Sequence, residues 1–574
     1  MTTLITEANS ILGIEIGSIH TRAILFDVVE ESYHFIASGS AGSTYGDPFF
    51  DIGEGAFEAI ARLQEITGRI LLNHDGNLIL PSQAGAEGVD RLIITVSCGA
   101  DLNLVTFGLL NDVSLETANR LAKTSFTNVI ESFGINDRRP IHVQMDALLA
   151  ARPDILVVAG GTDRGATRSV ARMVSMIATV LQIIPKEERP TVLYCGNQAM
   201  VKRVKELLDK ITEIKVTNNI RPTIDSEDLE KATVDFGKLM MDHRMQNVGG
   251  LDRISPLCSD QPVLSSVGFQ RVVQFLGKQY DPAKGVLGLD LGSAHTIAAY
   301  ANNKENSINV FPSGMGVGLE YVLQRTQIEE IEKWLPELIP HEEILAYLWQ
   351  KTLFPATIPA TCSSLAIELA VARHILRMTM RELSLRGAFV SRTFEPIIVS
   401  GSVLTHTATP QQVLLTLLDG IQPLGITPLV LDKHGIIPLL GAAAKINPLL
   451  PVQVLESTAF VNLATSVTAE SNARYGNTIM QARLVYTSGN YIDAEVKQGS
   501  LVVLPLKSGE TGQLILKTVR RTRIEDVEMT SEPIKIKGGV CGVVIDARGR
   551  PLELPAEDAR RRELLKRWAF MLGG

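Results

Sequence analysis

Two copies of one short phrase contain the residues best suited to chemistry in this sequence. Residues 12–21 and 287–296 both read apolar–Gly–apolar–acid–apolar–Gly–Ser–x–His–Thr, and the acids are Glu15 and Asp290. A carboxylate just before a glycine turn, with exposed backbone N–H groups beside it, suits a phosphate group and its magnesium ion. Two such turns facing each other would bind a nucleotide from both sides.

The turn and the acid of each copy have separate expected tasks. We expect the glycine N–H groups and serine hydroxyls to donate to phosphate oxygens, at about 1.5–3 kcal/mol for each charge-assisted bond. We expect Glu15 and Asp290 to be the catalytic carboxylates and to hold Mg²⁺ through water, because Mg²⁺ keeps much of its hydration shell. The nucleotide-binding candidates in the two copies are Gly17, Ser18, Thr21, Gly292, Ser293 and Thr296.

Simpler interpretations of the same residues stay open. The turns are alternatively ordinary hairpins, the acids caps of their own turns, and Thr21 and Thr296 strand residues with satisfied hydroxyls. His20 and His295 repeat as well, but duplication alone explains the repetition, and we interpret both as structural. The copies lie almost half the chain apart, too far for a solenoid period, so a duplicated domain explains them best.

Composition limits the class of protein. Among 574 residues, 45% are hydrophobic and 21% are charged, which is typical of a globular chain. The net charge of −8 gives no basic footprint for nucleic acid. Five cysteines without CxxC spacing argue against a disulfide framework and favour a reducing cytoplasm. We see no signal peptide and no apolar stretch long enough to cross a bilayer, so we expect a soluble protein without a membrane partner.

Strands and helices alternate through the first half of the chain. Arg91–Val96 and Leu102–Phe107 are β-rich runs that we predict to form a hairpin across residues 97–101. Residues 154–159 and Thr191–Tyr194 read as buried strands, each followed by glycine and then by a helix. This alternation is typical of an α/β fold.

The second half continues the pattern. The glycine-rich residues 312–318 open a helix, and residues 396–400 form a buried strand closed by Gly401 and Ser402. Residues 435–445 read as a turn followed by a tightly packed helix of small residues.

The sequence pattern changes after about Pro451. From there short β-runs alternate with glycine turns, and a predicted helix over Asp558–Met571 ends the region. We therefore predict three units. The first half, with an inserted α/β segment, covers 1–282, the second half covers 283–450, and a separate β-rich domain with a terminal helix covers 451–574.

Two further features have open interpretations. Residues 160–165, Gly-Gly-Thr-Asp-Arg-Gly, follow a buried strand and precede a helix, which suits either a bound anion or a tight βα turn. The basic cluster of Lys517, Arg520, Arg521 and Arg523 alternates with acidic residues, and we interpret it as a solvated strand face.

The order of the motifs resembles the superfamily of acetate and sugar kinases, seventy-kilodalton heat-shock chaperones and actin. Its two phosphate loops match residues 14–18 and 290–292, its adenosine motif matches residues 397–402, and its final Gly-Ala helix matches residues 441–444. The resemblance implies an actin-like ATPase with two ribonuclease-H-like halves around a nucleotide cleft. Its further implied nucleotide contacts are Gly401 and Ser402. Gly314 and Gly316, at the start of a predicted helix, either wrap the nucleotide or form a simple flexible turn.

The first half also resembles the glutamate mutase L family. The residues that carry this resemblance are 97–102, 108–110, 153–165 and 195–197, and the likeness covers roughly residues 10–450. Members are accessory proteins of adenosylcobalamin-dependent glutamate mutase. The resemblance implies ATP and Mg²⁺ as cofactors, an ATP-dependent reactivating chaperone as the function, and a cobalamin-dependent mutase as the client protein.

Our functional expectation is slow hydrolysis of ATP that drives a change of shape. Two alternatives stay open on the same fold. A small-molecule kinase needs a base beside its acceptor, and Asp101, Asp146 and Asp163 are equal candidates for that base. A filament-forming or scaffold protein with a degenerate nucleotide site is the other alternative.

Overall fold

The computed structural model describes residues 10–85, 87–163, 165–389, 392–519, 521–527 and 532–573. Across these residues the protein is a mixed α/β structure with five β-sheets and helices packed against them. The α/β class predicted from the alternating pattern is thereby confirmed. No helix in this described part combines the length and the hydropathy that crossing a bilayer requires.

The first copy of the repeated phrase lies at the centre of the first sheet. The elements here are β1 (Ile11–Ile16), β2 (His20–Val29), β3 (Ser32–Gly42), α1 (Ile52–Thr67) and β4 (Arg91–Val96). Strand β1 pairs antiparallel with β2 and parallel with β4, and all six of its residues are buried. Burial on both faces explains why β1 is an apolar run, broken by Glu15 near its carboxyl end.

An inserted segment follows β4 and forms a sheet of its own. Its elements are β5 (Leu102–Phe107), α2 (Glu116–Ala122), β6 (Thr127–Phe133), α3 (Ile141–Ala151), β7 (Ile155–Val158), α4 (Thr167–Ile183), β8 (Thr191–Tyr194), α5 (Val201–Leu208) and β9 (Ile214–Val216). The strands run parallel in the order β6-β5-β7-β8-β9, a doubly wound arrangement. The predicted hairpin of β4 with β5 is wrong, because β5 pairs with β6 and β7 in a different sheet.

Helices lead from this insert back to the first sheet. The elements are α6 (Glu230–Asn247), α7 (Leu251–Ile254), β10 (Val263–Leu264) and α8 (Ser265–Gln279). Strand β10 pairs parallel with β4, which completes the order β10-β4-β1-β2-β3.

The second copy lies at the centre of the largest sheet. The elements are β11 (Val286–Leu291), β12 (Thr296–Ala301), β13 (Asn306–Phe311), α9 (Leu319–Arg325), α10 (Glu329–Glu332), α11 (His341–Leu353), α12 (Cys362–Leu385), β14 (Ile397–Ser400), α13 (Ser402–Thr405), α14 (Pro410–Gly420), β15 (Ile426–Asp432), α15 (Ile437–Ala443) and α16 (Leu449–Leu455). Strand β11 pairs antiparallel with β12 and parallel with β14. The order β3-β2-β1-β4 of the first sheet thus recurs as β13-β12-β11-β14.

The C-terminal part of the chain is joined to this second sheet. Its elements are β16 (Phe460–Thr468), β17 (Glu470–Ser471), β18 (Thr478–Tyr486), β19 (Tyr491–Lys497), β20 (Leu501–Leu504), β21 (Thr511–Thr518), β22 (Thr522–Arg523), β23 (Ile534–Lys537), β24 (Val543–Asp546) and α17 (Asp558–Met571). Strands β16, β24 and β20 extend the sheet beyond β15. The expectation that this region forms a separate domain is therefore wrong for these three strands. Strands β19-β18-β21-β23 form a further sheet, and α17 has its predicted bounds.

Helices α8 and α15 pack against each other between the two repeated sheets. A Cβ on Gly441 of α15 would overlap the carbonyl oxygen of Gly268 on α8, so the two backbones touch where both residues are glycine. Such close approach is available to glycine alone, because any other residue would place a side chain there.

The same two helices explain the first glycine of each repeated phrase. A Cβ on Gly13 would lie 2.8 Å from Leu439 of α15, and a Cβ on Gly288 would lie 2.7 Å from Phe269 of α8. Each central strand therefore lacks a side chain where one of these helices presses on it.

Candidate functional site

The two repeated turns have the same geometry. The N–H of Gly17 donates to the carbonyl of His20 at 2.9 Å, and the N–H of Gly292 donates to that of His295 at 3.0 Å. A Cβ would lie 2.8 Å from the first carbonyl oxygen and 2.7 Å from the second, which explains glycine at both positions. The expectation that these glycine N–H groups bind phosphate is wrong, because the turns already use them.

Other N–H groups of the turns stay available to an anion. Four backbone N–H groups donate no hydrogen bond to any described residue. They are those of Ser18, Ile19, Ser293 and Ala294. Consecutive free N–H groups in a tight turn form a concave cradle for an oxyanion. The donors therefore lie one and two residues beyond each glycine.

Both turns border one crevice of about 740 Å³, here called the hairpin cleft. It is lined by Ser18, Ser43, Tyr45, Gly46, Asp47, Gly99, Ala100, Asp101, Ala294, His295, Pro312, Val317, Gly318, Glu320, Tyr321 and Gln324. Ser18 comes from the first turn, and Ala294 and His295 come from the second. The structure therefore brings the two copies of the phrase together across a shared space.

Glu15 is buried beside an arginine that the sequence analysis missed. The carboxylate Oε2 lies 2.5 Å from Nη2 of Arg22, and the same guanidinium donates through Nη1 to the carbonyl of His434 at 3.0 Å. The hairpin pairs Glu15 directly opposite Arg22. A turn of this length in an antiparallel pair places the seventh following residue opposite, and that spacing was the available signal.

Two further carboxylates surround this pair. Asp290 accepts the hydroxyl of Ser400 at 2.6 Å. Asp432, at the end of β15, is fully buried and accepts the N–H of Ile437 at 2.9 Å, which caps the start of α15. Glu15, Arg22, Asp290 and Asp432 form what we call the charge cluster, with three carboxylates for one guanidinium.

The excess of carboxylates in the charge cluster is accompanied by raised pKa values. Burial raises the pKa of Glu15 to about 7, and the nearby Asp290 and Asp432 add to the rise while Arg22 opposes it. Burial likewise raises the pKa of Asp290, partly offset by its hydrogen bond from Ser400, and that of Asp432. The enclosed excess of negative charge is one that a bound cation would relieve.

These carboxylates fit a hydrated metal better than a directly ligated one. Among the described residues, no three His, Cys, Asp or Glu side chains are grouped closely enough to hold a metal ion. One oxygen of Asp290 already accepts a hydrogen bond from Ser400, and one oxygen of Glu15 accepts one from Arg22. Mg²⁺ that keeps its water shell and binds phosphate oxygens suits such a site.

The raised pKa of Glu15 predicts a pH dependence of folding stability. Its pKa rises from 4.5 to about 7 on folding, so the native state holds a proton that the unfolded chain has lost. Stability should therefore fall as pH rises from 4.5 to about 7, by up to about 1.4 kcal/mol per pH unit from this group. Urea unfolding of wild type and Glu15→Gln across this window should show a steeper fall in the wild type, because Asp290 and Asp432, whose pKa values are also raised, keep their share of the slope in the variant. Glu65→Gln, on the exposed face of α1, is the control, and parallel curves for wild type and Glu15→Gln would contradict the assignment.

The glycine-rich loop at 312–318 wraps the second turn. The N–H of Gly316 donates to the carbonyl of Ser293 at 2.9 Å, and a Cβ on Gly314 or Gly316 would overlap Ser293. Gly318 lines the hairpin cleft, but the predicted Gly314 and Gly316 are not among the residues that line it. Those two glycines therefore pack against Ser293 of the second turn and support it without lining the cleft.

The strand end predicted to meet a nucleoside lies beside the second turn. Gly401 has φ of 126°, and a Cβ there would lie 2.5 Å from the carbonyl oxygen of Leu291. Ser402 is exposed and begins α13. Gly401 thus lies against Leu291, between Asp290 and Gly292 in the chain, although neither Gly401 nor Ser402 lines the cleft itself.

Thr21 and Thr296 do not reach the cleft. Both are fully buried, and the hydroxyl of Thr296 donates to the carbonyl of Ser313 at 2.7 Å. Both are strand residues, but the alternative of satisfied hydroxyls holds for Thr296 alone, because the hydroxyl of Thr21 has no hydrogen-bond partner among the described residues. Their interpretation as nucleotide contacts is therefore corrected, because a hydroxyl enclosed in the sheet cannot face a ligand.

A carboxylate–imidazole pair crosses the cleft. Nε2 of His295 lies 2.9 Å from Oδ2 of Asp101, and the ring of Phe126 contacts the imidazole edge-on. Of the three aspartates weighed as a base, Asp101 is the one that lines the hairpin cleft. Asp146 is exposed on α3, and Asp163 bonds to Asn219 at 2.8 Å in the insert.

The glycine-rich loop at 160–165 is closed by its own polar neighbours. Nδ2 of Asn219 donates to the carbonyl of Gly161 at 3.0 Å, and Nδ2 of Asn197 donates to that of Gly165 at 2.8 Å. Arg164 lies outside the described residues. The N–H groups of Asp163 and Gly165 also donate to the carbonyls of Pro222 and Thr162, which leaves fewer donors for an anion and favours the tight βα turn.

Comparisons with known proteins were made on sequence and on structure. The family profile described as MutL protein matches residues 11–459. No curated protein matches the sequence.

Solved structures give distant likenesses. A glycerol dehydratase reactivase is 11% identical, with 71% of this chain and 94% of that chain covered and a TM-score of 0.27. A diol dehydratase-reactivating factor is 11% identical, with 76% and 99% covered and a TM-score of 0.31. Component A of the Acidaminococcus fermentans (R)-2-hydroxyglutaryl-CoA dehydratase is 8% identical, with 76% and 97% covered and a TM-score of 0.27. Scores this low do not establish a shared fold.

Proposed function

The chain belongs to the MutL protein family, the glutamate mutase L family, and from this premise we propose that it is an ATP-dependent accessory factor that remodels a cobalamin-dependent mutase. ATP and Mg²⁺ are its proposed cofactors. Slow ATP hydrolysis and a mutase as the client protein are parts of the same proposal.

One observation carries the nucleotide part of the proposal. The two turns of the repeated phrase border a single cleft, which Ser18 of the first turn and His295 of the second both line. The free N–H groups beside Gly17 and Gly292 supply donors from both turns, and Glu15 and Asp290 supply carboxylates just before them. Paired cradles with adjacent carboxylates support a polyphosphate with its metal ion better than they support two unrelated hairpins.

Each group of residues has a distinct proposed task. The N–H groups of Ser18 and Ile19, and of Ser293 and Ala294, donate to phosphate oxygens. Asp290 and Glu15 would hold Mg²⁺ through its water shell, and Arg22 would shield Glu15 from the phosphates. Mg²⁺ supplies neutralisation of the phosphate charge when it is bound. Donors already fixed by their turns need little reorganisation, and such fixed dipoles favour phosphoryl transfer.

The proposed architecture is actin-like, with the boundary between the two halves near residue 282 kept as a prediction and the segment 451–574 joined to the second half through β16, β24 and β20. Supporting it, the strand order β3-β2-β1-β4 recurs as β13-β12-β11-β14, and α8 and α15 cross between the two sheets. ATP contacts on both turns would favour a closed cleft, and hydrolysis would release it. Moving a two-state equilibrium from 1:99 to 99:1 needs about 5.5 kcal/mol of differential binding, which two or three charge-assisted bonds can supply.

Calorimetry tests the proposal directly. Full-length protein titrated with Mg-ATP should bind one equivalent, and single-turnover assays should release phosphate without any added acceptor. A folded protein that binds no Mg-ATP would overturn the nucleotide site. Pull-downs from its own lysate, in ATP and in ADP, should differ in one captured mutase, and identical captures would overturn the client switch while leaving nucleotide binding intact.

A small-molecule kinase stays the second candidate because of Asp101. This carboxylate lines the hairpin cleft, and its Oδ1 is buried without a hydrogen-bond donor among the described residues. For Asp101 to act as the base, its Oδ1, which is shielded from solvent, would have to become accessible to an acceptor hydroxyl. Phosphate release that strictly requires an acceptor would favour the kinase over the ATPase.

A further inference from the structure

A second cavity of about 740 Å³ lies in the C-terminal part of the chain, where residues 470–472, 521–523 and 548–553 meet. We call it the arginine cavity. Its charged lining side chains are Arg521, Arg523, Arg548, Arg550, Glu470 and Glu553. Arg521 and Arg523 are exposed, as a solvated strand face predicts, but they face this cavity and not open solvent alone.

The floor of the arginine cavity is a buried ionic network. The side chains of Arg548 and Arg550 are 0% and 5% exposed, and both bind Asp546, at 2.9 and 2.8 Å. Arg548 also binds Asp419 at 2.6 Å, and Asp419 binds Arg373 at 2.8 Å. Three guanidinium groups therefore share two carboxylates. Within these bonds the guanidinium groups outnumber the carboxylates by one, and Glu553 in the lining of the same cavity carries an opposing charge. A buried excess of guanidinium groups is costly unless an anion joins it.

Two donors of the cavity are free. Nε of Arg550 is buried, and no described residue accepts a hydrogen bond from it. Arg521 has no ion-pair partner in the part of the chain that the structure describes. Arg523, in contrast, binds Glu470 at 3.2 Å and Glu525 at 2.8 Å. The free cationic groups thus lie at the mouth and on the floor of one cavity.

We propose that the arginine cavity binds a compact polyanion with two or more oxyanion groups, as phosphates or carboxylates. Guanidinium groups suit this ligand, because their planar forks bind both kinds of oxyanion through paired, charge-assisted hydrogen bonds. Asp546 holds Arg548 and Arg550 in place, so little side-chain entropy is lost on binding. Arg521 closes on the ligand from the rim. The site is independent of the hairpin cleft and of the function proposed for it.

Isothermal titration of the full chain with inorganic pyrophosphate, and separately with citrate, tests this site. Titrations without Mg²⁺ should show saturable binding of at least one of the two, and their ratio identifies phosphate or carboxylate as the preferred group. Arg521→Glu and Arg550→Lys should each weaken binding by about ten-fold or more, because each removes a charge-assisted contact. Arg550→Lys keeps the charge but removes the guanidinium, with Nε and the bonds of Nη1 to Gly549 and of Nη2 to Asp546, so it reports on these hydrogen bonds as a set.

The matched control is Arg567→Glu, an exposed arginine of α17 that does not line the cavity. It makes the same charge change as Arg521→Glu and should leave binding unchanged. Wild-type protein that binds neither probe, or equal weakening by Arg567→Glu and Arg521→Glu, would overturn the proposal, since the second result means general electrostatic attraction only. Circular dichroism of each variant establishes that it is folded.

Discussion

Replacing Asp290 by asparagine is expected to lower the affinity for Mg-ATP by about 100-fold, or about 2.7 kcal/mol. Asparagine has the same shape and can still accept the 2.6 Å hydrogen bond from Ser400. The change therefore removes charge and little else. The missing charge is the one proposed to hold hydrated Mg²⁺, for which a full carboxylate is preferred. Isothermal titration calorimetry of wild type and variant measures the loss.

The same variant should respond in the opposite direction when the metal is withheld. In EDTA, Asp290→Asn is expected to bind ATP at least as tightly as wild type, because a carboxylate near the phosphates repels them. A merely structural role for Asp290 predicts equal loss with and without Mg²⁺. Asp252→Asn, on the exposed surface of α7, is the matched control. Unchanged Mg-ATP affinity in Asp290→Asn would contradict its role as a metal-holding carboxylate.

Replacing Gly441 by alanine is expected to destabilise the protein by about 1–3 kcal/mol. The new Cβ would meet the carbonyl group and Cα of Gly268, and backbone atoms cannot rotate away as a side chain can. Helices α8 and α15 must therefore separate. Urea unfolding should show a lower midpoint at an unchanged slope. Gly42→Ala is the control, because its Cβ would meet nothing within 4 Å, and its effect should stay within about 0.5 kcal/mol.

Gly441→Ala should also weaken nucleotide binding under conditions where it is fully folded. Leu439 of α15 packs on Gly13 of β1, and Phe269 of α8 packs on Gly288 of β11. Separating the helices therefore shifts the strands that carry the two turns relative to each other. Wild-type stability in Gly441→Ala would show that the helix contact relaxes without cost. Lost stability with unchanged Mg-ATP affinity would show that the turns do not depend on it.

Local patterns predicted the secondary structure well. The strand Thr191–Tyr194 and the helix Asp558–Met571 have the predicted bounds. Their signals, a short β-branched run before glycine and a long helical stretch, lie within the elements themselves.

Strand partners were predicted less well than strands. Residues 97–101 connect two β-runs over a short distance, which favours a hairpin on local grounds. In the structure β5 pairs instead with β6 and β7, which lie further along the chain. The C-terminal region was likewise expected to be separate, yet β16 pairs with β15. Strand pairing depends on which strand edges meet in the folded chain, and no local sequence pattern indicates this.

The candidate site divides in the same way. The repeated phrase predicted both turns, their glycines and the carboxylates Glu15 and Asp290, and the structure brings both turns to one cleft. Arg22 was within reach of sequence reasoning, since the hairpin pairs it with Glu15. Asp432 was not, because it approaches the charge cluster only through the packing of the second sheet against the first.

By itself the sequence determined the duplication, the α/β class, the two glycine turns and the family. The tertiary structure decided which N–H groups stay free, that Arg22 and Asp432 join Glu15 and Asp290, and that Asp101 contacts His295 from 194 residues away. The physical reason is one of range. Helix periodicity, turn chemistry and glycine requirements act over a few residues and leave local signals. Contacts between distant residues form only when the whole chain packs, and their energies depend on a burial that no single segment specifies.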